Sequence, residues 1–179
     1  DHLRGGLLNW DGQLEDDARL VVAIARTAAG RGARILTRCS AHEVTGAGAV
    51  LQDELTGSRF SLDAHMVINA TGVWAADIDP QISLRPSRGT HLVLSPKSFA
   101  EDGANLTAGL TVPVPGSSSR FVFALPSPEG FVYLGITDED APGAIPDVPV
   151  ASDQEIDFLL DTINSAINNP LSRKDIIGS

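Results

Sequence analysis

The succession of a helix and a strand across residues 14–38 limits the fold more than any other feature of the sequence. In LEDDARLVVAIARTAAGRGA the apolar residues Leu20, Val21, Ile24, Ala25 and Ala28 recur at the 3.6-residue spacing of one helical face. Glu15, Asp16 and Asp17 put negative charge where the helix dipole is positive. Gly30 and Gly32 end the pattern, with Arg26 and Arg31 close to that end. ARILTR follows and reads as a strand. A helix feeding a strand through so short a connection is half of a βαβ unit, which makes this part of the chain α/β.

The pattern then changes. AHEVTG, GAVLQDEL and RFSLDAHMVINA, separated by Gly46, Gly48 and Gly57, read as an antiparallel meander that runs into a longer strand, Met66 to Ala70. Pro80 and Pro86 bound a linker-like stretch. Beyond it GTHLVLS, LTAGLTVPV, RFVFALP and GFVYLGITD read as strands of a second sheet, with PSPEG as a hairpin loop. A Pro- and Asp-rich loop, Glu139 to Pro149, leads to a second helix. Its start carries an S-x-x-E capping box at Ser152 and Glu155, and Ile156, Leu159, Leu160, Ile163 and Ile167 form one apolar face before Pro170 stops it. The chain therefore has two characters: α/β with a meander up to about residue 80, and an antiparallel sheet with a helix on one side from about residue 84.

Composition removes several functions. Hydrophobic residues make up 42% of the 179, which fits a globular chain with a core. A formal charge of −10 opposes a nucleic-acid surface, which needs clustered Lys and Arg. No apolar run approaches the roughly 18 residues of a membrane-spanning helix. The single Cys39 excludes an internal disulfide and fits a reducing compartment. His2, His42, His65 and His91 are scattered, and without a Cys cluster or an H-E-x-x-H they make no metal site. The absence of G-x-S-x-G argues against a hydrolase elbow. GAGAVL at Gly46 to Leu51 begins like a dinucleotide fingerprint, but it lacks the third glycine and no helix pattern follows, so a hairpin turn explains it better. The chain opens at Asp1 and stops at DIIGS, and is expected to be an internal piece of a longer protein.

Three short stretches carry chemistry. MVINATGVWA ends an apolar run in Ala70, Thr71 and Gly72, with Trp74 just after. Residues this small let a flat ligand approach the backbone, and ligands favour the carboxyl ends of parallel strands; an ordinary strand end with Trp74 packed in the core accounts for the same letters. RPSRGTHLVLS sets Arg88 and His91 around a glycine ahead of a strand. Arginine holds anions and histidine moves protons near neutral pH, although taken alone the stretch reads more readily as a surface arginine and a partly buried histidine. YLGITDED ends a strand in Thr137 and Asp138, suited to capping a turn or to a hairpin exit.

Taken in order, DGQLEDDARLVVAIARTAAGRGARILTR, INATGVWA, SRGTHLVLS and VYLGITDED resemble the FAD-dependent glycerol-3-phosphate dehydrogenases, within the wider D-amino-acid-oxidase-like flavoproteins. The resemblance runs from about Leu7 to Ser179. It implies an α+β fold derived from α/β: part of a two-dinucleotide-binding-domain FAD fold, plus an antiparallel-sheet substrate domain with flanking helices. On that plan residues 1–14 supply a strand of the substrate domain, residues 15–80 part of the FAD-binding domain, and residues 81–179 the substrate domain.

The resemblance also implies a reaction. The whole protein would oxidise sn-glycerol 3-phosphate to dihydroxyacetone phosphate, hydride passing from C2 to flavin N5 and electrons onward to a quinone. It would work in the cytoplasm, peripherally at the inner face of the cell membrane, with a homodimer as its assembly. FAD contacts carry over to Ala41, Ala70, Thr71, Gly72, Trp74 and Gly89. Arg88 and Thr90 carry over to substrate binding, and His91 to the catalytic base. The N-terminal glycine-rich fingerprint and a substrate-holding Arg segment have no counterpart in these residues, so this chain alone is expected to retain FAD weakly or not at all. An amine or amino-acid oxidase of the same superfamily, and a non-catalytic binding module on the same fold, are the other readings.

Overall fold

The computed structural model describes residues 5–99 and 106–179, and these form two units, Asp1–Ile68 and Asn69–Ser179.

In the first unit, helix α1 spans Asp17–Gly30. Asp16 caps it, its carboxylate accepting from the Arg19 amide at 2.8 Å. Three strands follow as the expected meander, β1 Cys39–Thr45, β2 Gly48–Asp53 and β3 Arg59–Asp63, in the order β1-β2-β3. GAGAVL forms the β1–β2 hairpin, with Thr45 opposite Gly48.

Three expected strands do not form. Residues 5–14, 33–38 and 66–70 belong to no ladder, and residues 1–4 lie outside the described set. A strand exists through hydrogen bonds to a neighbour, and among the described residues none of these segments has one. Their apolar side chains stay open accordingly: Met66 is 74% and Ile68 79% exposed. The apolar stripe of α1 behaves alike, with Leu20, Val21 and Ile24 exposed and no residue of the helix buried.

The second unit contains the core. After a short helix α2, Ala75–Ile78, come β4 Ser87–Arg88, β5 His91–Leu94, β6 Leu110–Pro113, β7 Phe121–Pro126, β8 Val132–Gly135 and β9 Glu139–Asp140. Helix α3 spans Asp153–Asn164, and β10 Ile176–Gly178 closes the chain. Five strands form one antiparallel sheet in the order β10-β5-β8-β7-β6, while β4 and β9 pair separately. PSPEG is the β7–β8 loop, closed by the Ser127 amide on the Phe131 carbonyl at 2.8 Å.

Alternation gives the sheet two faces. Leu92, Leu94, Val122, Ala124, Val132 and Leu134 point to one face and are fully buried. They share a core with Leu159, Leu160 and Ile163 of α3. Burying such side chains contributes roughly 1.5–3 kcal/mol each. His91, Phe121 and Phe123 occupy the other face and are exposed.

The capping box at the start of α3 is present, but the helix ends at Asn164 and not at Pro170. The Ser165 hydroxyl donates to the Thr162 carbonyl at 2.7 Å and the Ala166 amide to Ile163, which turns the chain early. Ile167 still packs on the core from the following loop.

The division at Ile68/Asn69 lies ahead of the expected boundary at residue 80. Asn69 supplies the reason. Its amide donates to the Ala75 carbonyl at 3.0 Å and its side-chain oxygen accepts from the Thr71 hydroxyl at 2.8 Å, tying the Ala-Thr-Gly turn to the first residue of α2.

Candidate functional site

The residues singled out in the sequence fall into three places. Ala41 lies exposed on β1 of the first unit, opposite Leu51. Ala70, Thr71 and Gly72 form an exposed turn in the second unit. Gly72 has φ +60°, where glycine is favoured, and a side chain there would meet nothing within 4 Å. Trp74 is 45% exposed and lines a cleft of about 620 Å³ together with Val73, Asp77, Leu84, Pro86 and Ile145. The tryptophan is thus a wall of a cleft, not a core side chain.

The third place joins the start of β5 to the end of β8, and here RGTH and LGIT interlock. Gly89 lies against Ile136: a Cβ on it would come within 2.7 Å of Ile136 Cγ1 and 3.1 Å of the Thr137 carbonyl. Gly135 lies against His91 in the same manner. Each motif glycine makes room for a residue of the other motif, a demand of packing that accounts for both.

Arg88 and Thr90 share a face with Leu92 and Leu94, and His91 points to the other. On the helix face stands Glu155, 4% exposed. Its Oε1 accepts from Arg88 Nε at 3.1 Å, the Thr90 hydroxyl at 3.0 Å and the Thr137 hydroxyl at 3.2 Å. Its Oε2 accepts from Arg88 Nη2 at 2.7 Å, the Ser152 amide at 2.8 Å and the Ser152 hydroxyl at 2.7 Å. Thr137 in turn accepts from the Thr90 amide at 2.8 Å. A buried carboxylate with this many donors is fully satisfied and fixes every group around it. Burial by itself would raise its pKa; the bonds from Ser152, Arg88 and Thr90 outweigh that and bring it down to about 2.

The structure therefore brings Arg88, Thr90 and Thr137 together around Glu155, and sets His91 on the opposite face of the sheet beside Gly135 and Phe123. Sequence reasoning saw Glu155 only as a helix cap. The signal for more was period two: residues 88, 90, 92 and 94 share one side, and two of them are core leucines. Outside this cluster Arg85 forms a bidentate pair with Asp140 at 2.9 and 2.8 Å, joining the β4 and β9 segments. Among the described residues no group of His, Cys, Asp and Glu could hold a metal ion, and no helix is long and apolar enough to cross a membrane.

Known proteins resemble this chain over its whole length. The family of FAD-dependent oxidoreductases matches residues 1–177. Glycerol-3-phosphate dehydrogenase 1 of Mycobacterium tuberculosis is 60% identical over 179 residues, covering 100% of this chain and 34% of that protein. The mitochondrial glycerol-3-phosphate dehydrogenase of Arabidopsis thaliana is 32% identical over 191 residues, 99% of this chain and 29% of that protein. Among solved structures, the glycerol-3-phosphate dehydrogenase of Bacillus halodurans in complex with FAD superposes with a TM-score of 0.79 at 28% identity, over 90% of this chain and 33% of that one. The chain spans about a third of the length of the relatives it matches.

Proposed function

The chain belongs to the family of FAD-dependent oxidoreductases, and on that premise we propose that it is the middle portion of a flavin-linked sn-glycerol-3-phosphate dehydrogenase. The observation that carries the reading is the 60% identity across the full chain to a protein of that name. The open sheet face supports it with a histidine, His91, whose cross-strand partner is Gly135.

The residues present fit a flavin nucleotide at the Ala70–Gly72 turn, which is exposed and has open space where a Gly72 side chain would stand. Ala70, Thr71, Gly72 and Trp74 would hold the cofactor there; Ala41, on β1 of the first unit, and Gly89 are cofactor contacts through the resemblance alone. When bound, FAD supplies the acceptor for the hydride that leaves C2 of the substrate. The chain's own part is proton handling and placement. A ring nitrogen of His91 takes the C2 hydroxyl proton as the carbon–oxygen double bond of dihydroxyacetone phosphate forms. Arg88 and Thr90, bound to Glu155, serve by fixing the segment that presents His91. Electron delivery to a quinone, a peripheral place at the cytoplasmic face of the membrane and a homodimeric state belong to the same proposal and rest on the resemblance.

The full-length protein, loaded with FAD, is expected to form dihydroxyacetone phosphate from glycerol 3-phosphate with a quinone analogue as acceptor. A fully loaded protein that makes none would overturn the reading. The present chain, purified alone, is expected to be colourless: it contains no G-x-G-x-x-G to bring amides to the pyrophosphate. A flavin absorbance band in that preparation would contradict this.

A further inference from the structure

We propose that Gly135 is a positioning residue for the His91 imidazole, its missing side chain being the seat of the ring. The proposal rests on the reading of His91 as the proton-accepting group. Gly135 is the cross-strand partner of His91 on one side and of Phe123 on the other. The three residues therefore form one row across β5, β8 and β7 on the open face. Gly135 is buried although its row is exposed, because the imidazole covers it. A Cβ at Gly135 would meet His91 Cδ2 and lie 3.0 Å from His91 Cγ and 2.9 Å from the Thr90 carbonyl oxygen. The Gly135 backbone lies outside the left-handed region, so the φ angle does not demand glycine; the collision does.

The collision bears on the chemistry in two ways. The Cδ2–Cγ side of the ring lies against the vacant position, so the notch sets where the imidazole stands on the sheet. Any larger residue at 135 must push the ring away by roughly 1 Å to restore ordinary contact. Displacements near 1 Å cost on the order of 100-fold when they move a group out of reacting geometry.

The test is a double-mutant cycle in the full-length, FAD-loaded protein: Gly135→Ala, His91→Ala and both together. Gly135→Ala is expected to lower kcat by about 10- to 100-fold while KM for glycerol 3-phosphate changes far less. In the His91→Ala background the same substitution is expected to change kcat no further. An equal loss in both backgrounds, or a Gly135→Ala enzyme as fast as wild type, overturns the proposal. Should Gly135→Ala fail to load FAD, the double variant, which lacks the colliding ring, is expected to load it; failure of both would mean that the notch serves the Thr90 backbone instead, and would overturn the proposal as well. Thermal midpoints across the cycle need no substrate. Coupling there with an inactive wild type would sink the dehydrogenase reading and leave the Gly135–His91 relation standing.

Discussion

Alanine in place of His91 is expected to lower kcat for glycerol 3-phosphate oxidation by about 10²- to 10⁴-fold in the full-length protein, the range a lost general base typically costs. The side chain sits exposed at the start of β5, on the sheet face away from the core. Removing it takes nothing from the Leu92–Leu134 layer and uncovers Gly135, so the fold and the flavin content are expected to be retained. Rapid-mixing measurements of flavin reduction read the chemical step without product release and check the assignment. Unchanged reduction rates in the variant would remove His91 from the reaction and leave the sheet face without its proton acceptor.

The second large effect is on stability. Glu155→Ala leaves Arg88, Thr90, Thr137 and Ser152 without their shared acceptor. Breaking a buried, hydrogen-bonded ion pair from one side costs on the order of 3–5 kcal/mol. The Arg88 side chain is 38% exposed and regains water, which places the expected loss near the low end, about 3 kcal/mol. Glu155→Gln keeps the volume and part of the bonding, and is expected to cost less. The pH dependence follows from the depressed carboxyl. Its pKa falls from an ordinary 4.5 in the unfolded chain to about 2 in the fold. The stabilisation is therefore complete above pH 4.5 and is lost as the pH falls from there toward 2. The total is on the order of 3 kcal/mol, since each tenfold change in proton affinity between the folded and unfolded states is worth about 1.4 kcal/mol. Thermal midpoints of wild type and Glu155→Gln, followed from neutral pH downward, are expected to converge across that window. Parallel curves would show that Glu155 is not the group holding the network.

What could be read from the sequence was whatever is local. The acidic start of α1, the stop at Gly30, the Ser152–Glu155 capping box, the meander turns and the PSPEG hairpin are each set by residues a few positions apart, and each formed where expected. What could not be read depends on partners distant in sequence. ARILTR and MVINA have the composition of strands, yet a strand needs a neighbour to exchange hydrogen bonds with, and the described residues offer none. Arg88 looked like a ligand-binding group because arginine suits an anion, and the resemblance assigned Thr90 to substrate binding. Their direction came from Leu92 and Leu94, which turn that side of the strand to α3 and to Glu155. The resemblance assigned Gly89 an FAD contact and Gly135 lay unremarked in a strand; only the close approach of the two segments shows that each clears space for a side chain of the other.

We propose that the full-length protein removes hydride from a secondary alcohol bearing a phosphate. Anaerobic mixing of the full-length, FAD-loaded protein with glycerol 3-phosphate, and separately with D-amino acids and sarcosine, tests it most directly. The account predicts rapid bleaching of the oxidised flavin band with glycerol 3-phosphate, stoichiometric dihydroxyacetone phosphate, and no bleaching with the amines. Bleaching by an amine while glycerol 3-phosphate leaves the flavin oxidised would contradict it and assign the chain to carbon–nitrogen oxidation instead.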